Sequence, residues 1–544
     1  MTDSFPRQQA RTRRFSLGTP RSFQISPDGT SIAFLRSRSG ADPVTCLWVL
    51  DLPADPRSPD GAVERLVVDP VAVGAGKDEP EAERARRERS REQAGGVVAF
   101  ATDTACAMAT FAIGGEVYTA QLAADGHPPA KAGSRSPAID PRPDPTGRRI
   151  AYACDGALRI TDLAGGTDTE LIGPDGAAHI TYGLAEFVAA EEMGRMRGYW
   201  WAPDGQALLV ARADNSPLNR WHIADPANPD RPPAEVGYPA AGTPNALVEL
   251  MIVGLDGKTI PVQWDTQAYC YLTTACWDAA APLIVVQSRD QRRMRLLAVD
   301  AGTGATTVLR DDADACWLDI VPGVPARLAD GRIAWTADAG GARRLLVAGE
   351  QELADGTAEP VTPSGLQVRG VLSVDGDTVL LSGSDGEPTE IGVWSWGPAG
   401  LQRVSGDSGD SGVLRGVYRG GGHAGHRGVH GGVHGGVRAG GTTVLTSRSM
   451  AEPGLTVTVL REQPDARDPA DARDPADARD PAVAGTIASL AERPALPGPR
   501  VELLRAGRRE IRTALLLPSW HEPGSAKLPV LMDSYGGPRL QRVL

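Results

Sequence analysis

The chain has 544 residues, is 41% hydrophobic and carries 64 Gly and 44 Pro, enough for a large core and a composition that favours many turns over a helix bundle. A formal net charge of −12 argues against a nucleic-acid partner. The first twenty residues, MTDSFPRQQARTRRFSLGTP, lack a secretory apolar core, and nowhere is there the run of about 18 apolar residues that a membrane span needs.

In chain order, residues 1–20 read as a lead-in and residues 21–495 as a repetitive β region. ISPDGTSIAFLRS begins at Ile25, PDPTGRRIAYACDG at Pro143, WAPDGQALLVARAD at Trp201, RLADGRIAWTADAG at Arg327 and LSVDGDTVLLSGSDG at Leu372. Each pairs a polar Asp/Gly turn, with Gly serving a positive φ, with a short β-prone run. Repetition of this unit predicts an all-β fold, a β-propeller of four-stranded blades. A charged stretch over 79–96, EPEAERARRERSREQAGG, predicts a solvated helix stopped by Gly95-Gly96. A Gly-rich segment, 406–441, and a thrice-repeated hexapeptide, 465–482, read as low-complexity insertions. From 496 onward the texture changes. RVELLRAGRREIRTALLLPS predicts a strand pair, and KLPVLMDSYGG a buried strand ending in a glycine turn, as at the start of an α/β domain. The six cysteines, scattered and without CxxC, read as reduced, buried thiols of a cytoplasmic protein.

The search for a nucleophile finds no G-x-S-x-G pentapeptide. Ser395, in GVWSWGPAG, has Val393 where an elbow needs a small residue and reads better as part of an outer propeller strand. GDSGDSG, from Gly406, resembles the serine neighbourhood of trypsin-like proteases but lies in low complexity without a matching His and Asp context. His423, His426, His430 and His434 are spaced to catch a metal, yet their glycine-rich setting has no partner carboxylates nearby. No cofactor fingerprint or metal motif is present.

Glu191-Glu192, within AEFVAAEEMGRMRGYWW, is the feature that composition does not explain. In a strand the two side chains would point to opposite faces; in a short helix or irregular insertion both can approach one site. Charge alone reads the pair as a solvated helix end. Held together, the carboxylates repel, and a cation such as a peptide α-ammonium relieves that cost.

AEFVAAEEMGRMRGYWWAPDG resembles the double-glutamate segment of the dipeptidyl peptidase IV branch of the prolyl oligopeptidase family. YPAAGTPNALVELMIV, from Tyr238, and AYCYLTTACW, from Ala268, are similar to further propeller segments of that family. RRERSREQAGGVVAF, from Arg86, resembles the arginine-bearing helix of its eight/nine subgroup, and LPVLMDSYGGPRLQRVL the entry strand of its hydrolase domain. The resemblance implies eight blades followed by the beginning of an α/β-hydrolase domain in 496–544. It implies that Glu191 and Glu192 bind the free N-terminus of a peptide, with Xaa-Pro or Xaa-Ala at its start. Arg91, or Arg89 if the register slips, would contact a substrate carbonyl, and Tyr535 would help form the oxyanion hole. The family's Ser, Asp and His follow the Tyr-Gly-Gly-Pro segment, after which this sequence has few residues. The expectation is therefore the substrate-gating propeller portion of a serine-type dipeptidyl aminopeptidase, inactive alone and arising from a frameshift or premature stop. The other reading is a non-catalytic propeller that binds peptides or a partner protein.

Overall fold

The computed structural model describes residues 4–55, 61–74, 95–124, 126–174, 176–278, 280–405, 432–450, 452–462, 481–522, 524–534 and 541. They form two compact units, Met1–Leu66 with Val321–Val347 and Glu359–Leu544, and Val67–Ile320 with Ala348–Ala358.

Lying in the first unit wholly, or in all but their last one or two residues, antiparallel sheets run over Arg21–Val68, Ala326–Ala348, Leu366–Arg403 and Gly432–Thr486. The second of these has three strands and a bridge from Leu346 to Pro360. In the second unit, sheets run over Ala101–Lys131, Ile139–Ile172, Ile180–Pro261 and Tyr271–Ala313. Each sheet is a meander of mostly sequential neighbours, the blade of a β-propeller, and the described residues supply eight.

Four of the five Asp/Gly turns join the first to the second strand of a blade, and the turn after Trp201 joins the second to the third. After Ile25, the Asp28 carboxylate accepts from the Thr30 amide at 3.0 Å, and Gly29 has φ +71°. Asp144 takes the Thr146 and Arg148 amides at 3.1 and 2.9 Å, and Gly147 has φ +70°. Asp204 takes the Gln206 amide at 2.9 Å, and Asp330 takes the Arg332 amide at 2.9 Å. The carboxylate replaces backbone partners that the reversal removes, and the next strand enters the core, as Ile32–Leu35 do with almost no exposure.

Part of the Gly-rich segment is structural. Gly432–Ala439 is a strand paired throughout with Thr442–Ser449. Its turn donates the Gly440 and Gly441 amides to Asp375, each at 3.0 Å, while Thr442 Oγ1 donates to the Gly29 carbonyl at 2.7 Å. This ties the last sheet of the unit to the first. Phe34 and Leu50 share one apolar cluster with Val444 and Val459. Gly440 has φ +55°, and a Cβ there would lie 2.3 Å from the Gly29 amide nitrogen. Gly440→Ala is expected to cost about 1–3 kcal/mol, measured as a lowered urea midpoint at unchanged m-value.

Other expectations need correction. Lys527–Asp533 forms no strand, and Val530, Leu531 and Met532 are 81%, 94% and 80% exposed. A buried strand requires neighbours on both edges and cover on its faces, and among the described residues no strand pairs with this segment. The preceding strand pair is present, Arg500–Ala506 against Ile511–Leu517. Ser395 lies in the third strand of its blade, Gly392–Gly397, paired on both sides rather than at the edge. Only Cys46, Cys106 and Cys154 are buried; Cys270 and Cys276 are half-buried and Cys316 is exposed, because the last lies in a surface turn closed by Asp314. Of the charged stretch 79–96, only Gly95-Gly96 falls within the described residues, as a two-residue strand.

Candidate functional site: a glutamate pair on a braced helix end

The glutamates sit between two strands of one blade. Ile180–Leu184 pairs with Arg197–Trp201 at Gly183–Gly198 and Leu184–Arg197, and the chain between them folds into a five-residue helix, Phe187–Glu191. A Cβ on Gly198 would lie 2.3 Å from the Gly183 carbonyl carbon, so glycine there permits the close strand approach.

The strand beyond the helix is a firm anchor. Tyr199 and Trp201 enter a cluster with Leu158 and Ile160, while Trp200 enters one with Tyr269 and Leu272. Successive side chains point to opposite faces, so Tyr-Trp-Trp grips both neighbouring sheets. The Tyr199 hydroxyl donates to backbone carbonyls at Asp140 and Ala151, and burial pushes its pKa well above 10. The unfolded phenol ionises near pH 10 and the folded one higher. Above pH 10 the unfolded state therefore sheds a proton that the native state keeps, and stability falls. Tyr199→Phe is expected to flatten this alkaline decline, read from chemical denaturation between pH 9 and 11.

The helix start is also determined. The buried Glu186 carboxylate accepts from the Val188 and Ala189 amides at 2.6 and 2.9 Å, an N-cap for donors that lack partners at a helix start. Buried Arg195 lies across it, with Nη2 3.9 Å from Glu186 Oε1. Arg195 Nε donates to the Leu272 carbonyl at 3.0 Å and Nη1 to the Arg197 carbonyl at 2.8 Å. The Arg195 amide closes the loop onto the Ala189 carbonyl at 2.9 Å. Burial brings the guanidinium down to about 10, opposed by the Glu186 charge.

Glu191 is the last helical residue and Glu192 its C-cap, and both are exposed. This resolves the choice between strand and helix in favour of the helix end. No basic residue occupies the last turn, so the two carboxylates stand where the helix's own carbonyls make the potential negative. A helix C-terminus by itself favours cations over anions.

Arg91, Arg89 and Tyr535 lie outside the described residues, so the structure brings together Glu191 and Glu192 alone among the predicted site residues. The Asp-rich GDSGDSG stretch, His423, His426 and His430 also lie outside. His434 falls in a strand, with Nδ1 2.8 Å from Ser447 Oγ. Among the described residues no group of three or more His, Cys, Asp or Glu is arranged to hold a metal, and no helix is long and apolar enough to cross a membrane. Glu186 and Arg195, which fix the glutamate helix, escaped the sequence reading. An acidic residue immediately before the apolar run Phe187–Ala190 was the available signal for the cap; the Arg195 contact to Leu272 spans 77 residues and has no local signature.

Eight meander sheets and a carboxylate pair set between two strands of one blade define a propeller with a built-in acidic insertion. Residues 113–411, more than half the chain, match the dipeptidyl peptidase IV (DPP IV) N-terminal region, and the chain belongs to that family. A probable dipeptidyl-aminopeptidase B of Grosmannia clavigera is 25% identical over 220 residues, 34% of this chain and 23% of that protein. Venom dipeptidyl peptidase 4 of Apis mellifera is 28% identical over 173 residues, 29% of this chain and 22% of its own. The chain thus matches less than a quarter of the length of these relatives. The crystal structure of Porphyromonas gingivalis dipeptidyl peptidase 4 superposes with a TM-score of 0.64 at 14% identity, covering 94% of this chain and 66% of that one, a likeness of fold.

Proposed function

We propose that this chain is the substrate-gating propeller portion of a dipeptidyl aminopeptidase and that Glu191 and Glu192 bind the free N-terminus of a peptide. The carrying observation is the pair itself: two exposed carboxylates at the end of a helix fixed by the buried Glu186 and Arg195, in a chain of the dipeptidyl peptidase IV family. An ammonium offers three donors and a positive charge to a place where the helix end and two carboxylates are all negative. Binding there sets the distance from the N-terminus to the bond that is cut, so recognition becomes a ruler. In this reading Arg91 holds a substrate carbonyl, Tyr535 belongs to the oxyanion site, and the preferred peptides begin Xaa-Pro or Xaa-Ala. The 544 residues contain no G-x-S-x-G elbow, so the serine chemistry of the proposed reaction is assigned to residues outside this sequence.

Isothermal calorimetry on the whole chain tests the reading. Ala-Pro-Ala with a free amine is expected to bind at least tenfold more tightly than its N-acetyl counterpart. A Gly-Pro chromogenic substrate is expected to show no turnover. Equal affinity for the two peptides would remove the ammonium clamp, and turnover abolished by a serine-directed phosphonate would overturn the assignment of the chemistry elsewhere.

A further inference from the structure

The glutamate helix has five residues, far fewer than the roughly 12–15 an isolated helix needs to persist in water. Glu186 and Arg195 fix its start and the loop that follows it. Phe187 and Glu191 are four residues apart and therefore share one face, so whatever holds Phe187 also sets the direction of Glu191.

Phe187 meets the edge of Tyr238, with ring centroids 5.3 Å apart at 77°. Tyr238 in turn lies against Trp221, at 4.4 Å and 46°. Both Tyr238 and Trp221 belong to a two-stranded hairpin, Asn219–Ile223 with Ala234–Tyr238, in which Tyr238 pairs with Asn219. Trp221 stands two residues along the opposite strand, the diagonal position from which large rings touch. The hairpin is tied at its base by Arg220, whose guanidinium lies 2.7 Å from His179 Nδ1 and 3.5 Å from Glu235. Trp221 is 52% exposed, so it is no core residue, and Tyr238 is the aromatic ring it rests on.

We infer that this hairpin is the outer brace of the glutamate helix and that Phe187, Tyr238 and Trp221 are positioning residues for recognition of the peptide ammonium. The inference rests on the ammonium-clamp reading of Glu191 and Glu192. It adds that the strength of the clamp is set by an aromatic relay from a surface hairpin that makes no contact with the ammonium. Tyr238 acts through its ring, so its hydroxyl is dispensable.

The test is calorimetry on the full chain with Ala-Pro-Ala and N-acetyl-Ala-Pro-Ala, read as the ratio of the two affinities. Trp221→Ala and Phe187→Leu are each expected to lower the ratio about three- to tenfold, the range set by the loss of one aromatic pair. Tyr238→Phe is expected to keep the wild-type ratio. Circular dichroism and the melting temperature of Trp221→Ala are expected to match wild type, which separates positioning from folding. A wild-type ratio in both Trp221→Ala and Phe187→Leu overturns the brace while leaving the clamp standing. Should Phe187→Leu fail to fold, Trp221→Ala alone decides. A wild-type chain without preference for the free amine overturns the clamp, and the brace with it.

Discussion

Replacing Glu191 and Glu192 together by glutamine is expected to erase the preference for a free N-terminus without destabilising the chain. The affinity of a free-amine tripeptide should fall about 10- to 100-fold, equivalent to about 1.4–2.8 kcal/mol, while that of the N-acetyl peptide stays unchanged. The reason lies in what the two carboxylates face. They are exposed and close a helix whose last turn carries no basic residue, so neutralising them removes the ammonium's charged partners while leaving the buried base of the helix in place. The melting temperature is expected to be unchanged. A double variant that binds both peptides as wild type does would assign the pair to surface charge alone. One that loses stability would mean that the carboxylates hold the fold.

The second large effect is expected at Arg195. Arg195→Met removes a buried cation that carries two backbone hydrogen bonds and faces buried Glu186. Removing one partner of a buried pair leaves the other uncompensated, at a cost of about 3–5 kcal/mol. The Leu272 and Arg197 carbonyls lose their donor as well. Arg195→Lys is expected to rescue little, because one ammonium cannot reach two carbonyls along the directions that the planar guanidinium spans. Urea denaturation measures the loss. Glu186→Gln, which keeps oxygen for the helix cap but removes the charge, is expected to cost less than Arg195→Met. If Arg195→Met unfolds at the wild-type urea midpoint, the brace is not structural.

The two substitutions act on different properties of one short stretch. Glu186 and Arg195 spend burial on holding the helix, and Glu191 and Glu192 sit at its exposed end. A site of this kind needs a rigid base beneath its ligand-facing groups.

Much of the fold was legible because five blades announce themselves with the same Asp/Gly turn; in four of them the turn's own Asp carboxylate caps it. The remaining three are silent for identifiable reasons. In the Ala101–Lys131 sheet, Asp103 caps the turn by accepting from the Ala107 and Met108 amides, but no glycine follows it. In the Gly432–Thr486 sheet the turn glycines borrow their carboxylate from Asp375 in the preceding sheet, so the local sequence looks like glycine-rich filler. In the Tyr271–Ala313 sheet the turn reads CWDAAAPL, with Pro282 in place of the glycine signal. The Glu pair was visible as a charge anomaly and gained meaning from resemblance. Its support was invisible because Arg195 acts through contacts remote in sequence. The segment around Val530–Met532 was misread because apolar content signals a need for burial, which only neighbouring chain can meet.

The seat of Glu191 and Glu192 at a helix C-terminus also bears on protein engineering. Such an end favours cations over anions, and charge exchanges of that kind are among the substitutions that commonly raise thermal stability. A library of this chain screened for heat resistance would therefore enrich lysine or arginine at 191 and 192 among its early winners. Ranked by melting temperature, those clones would look like improvements; ranked by peptide capture, they would be the ones to discard.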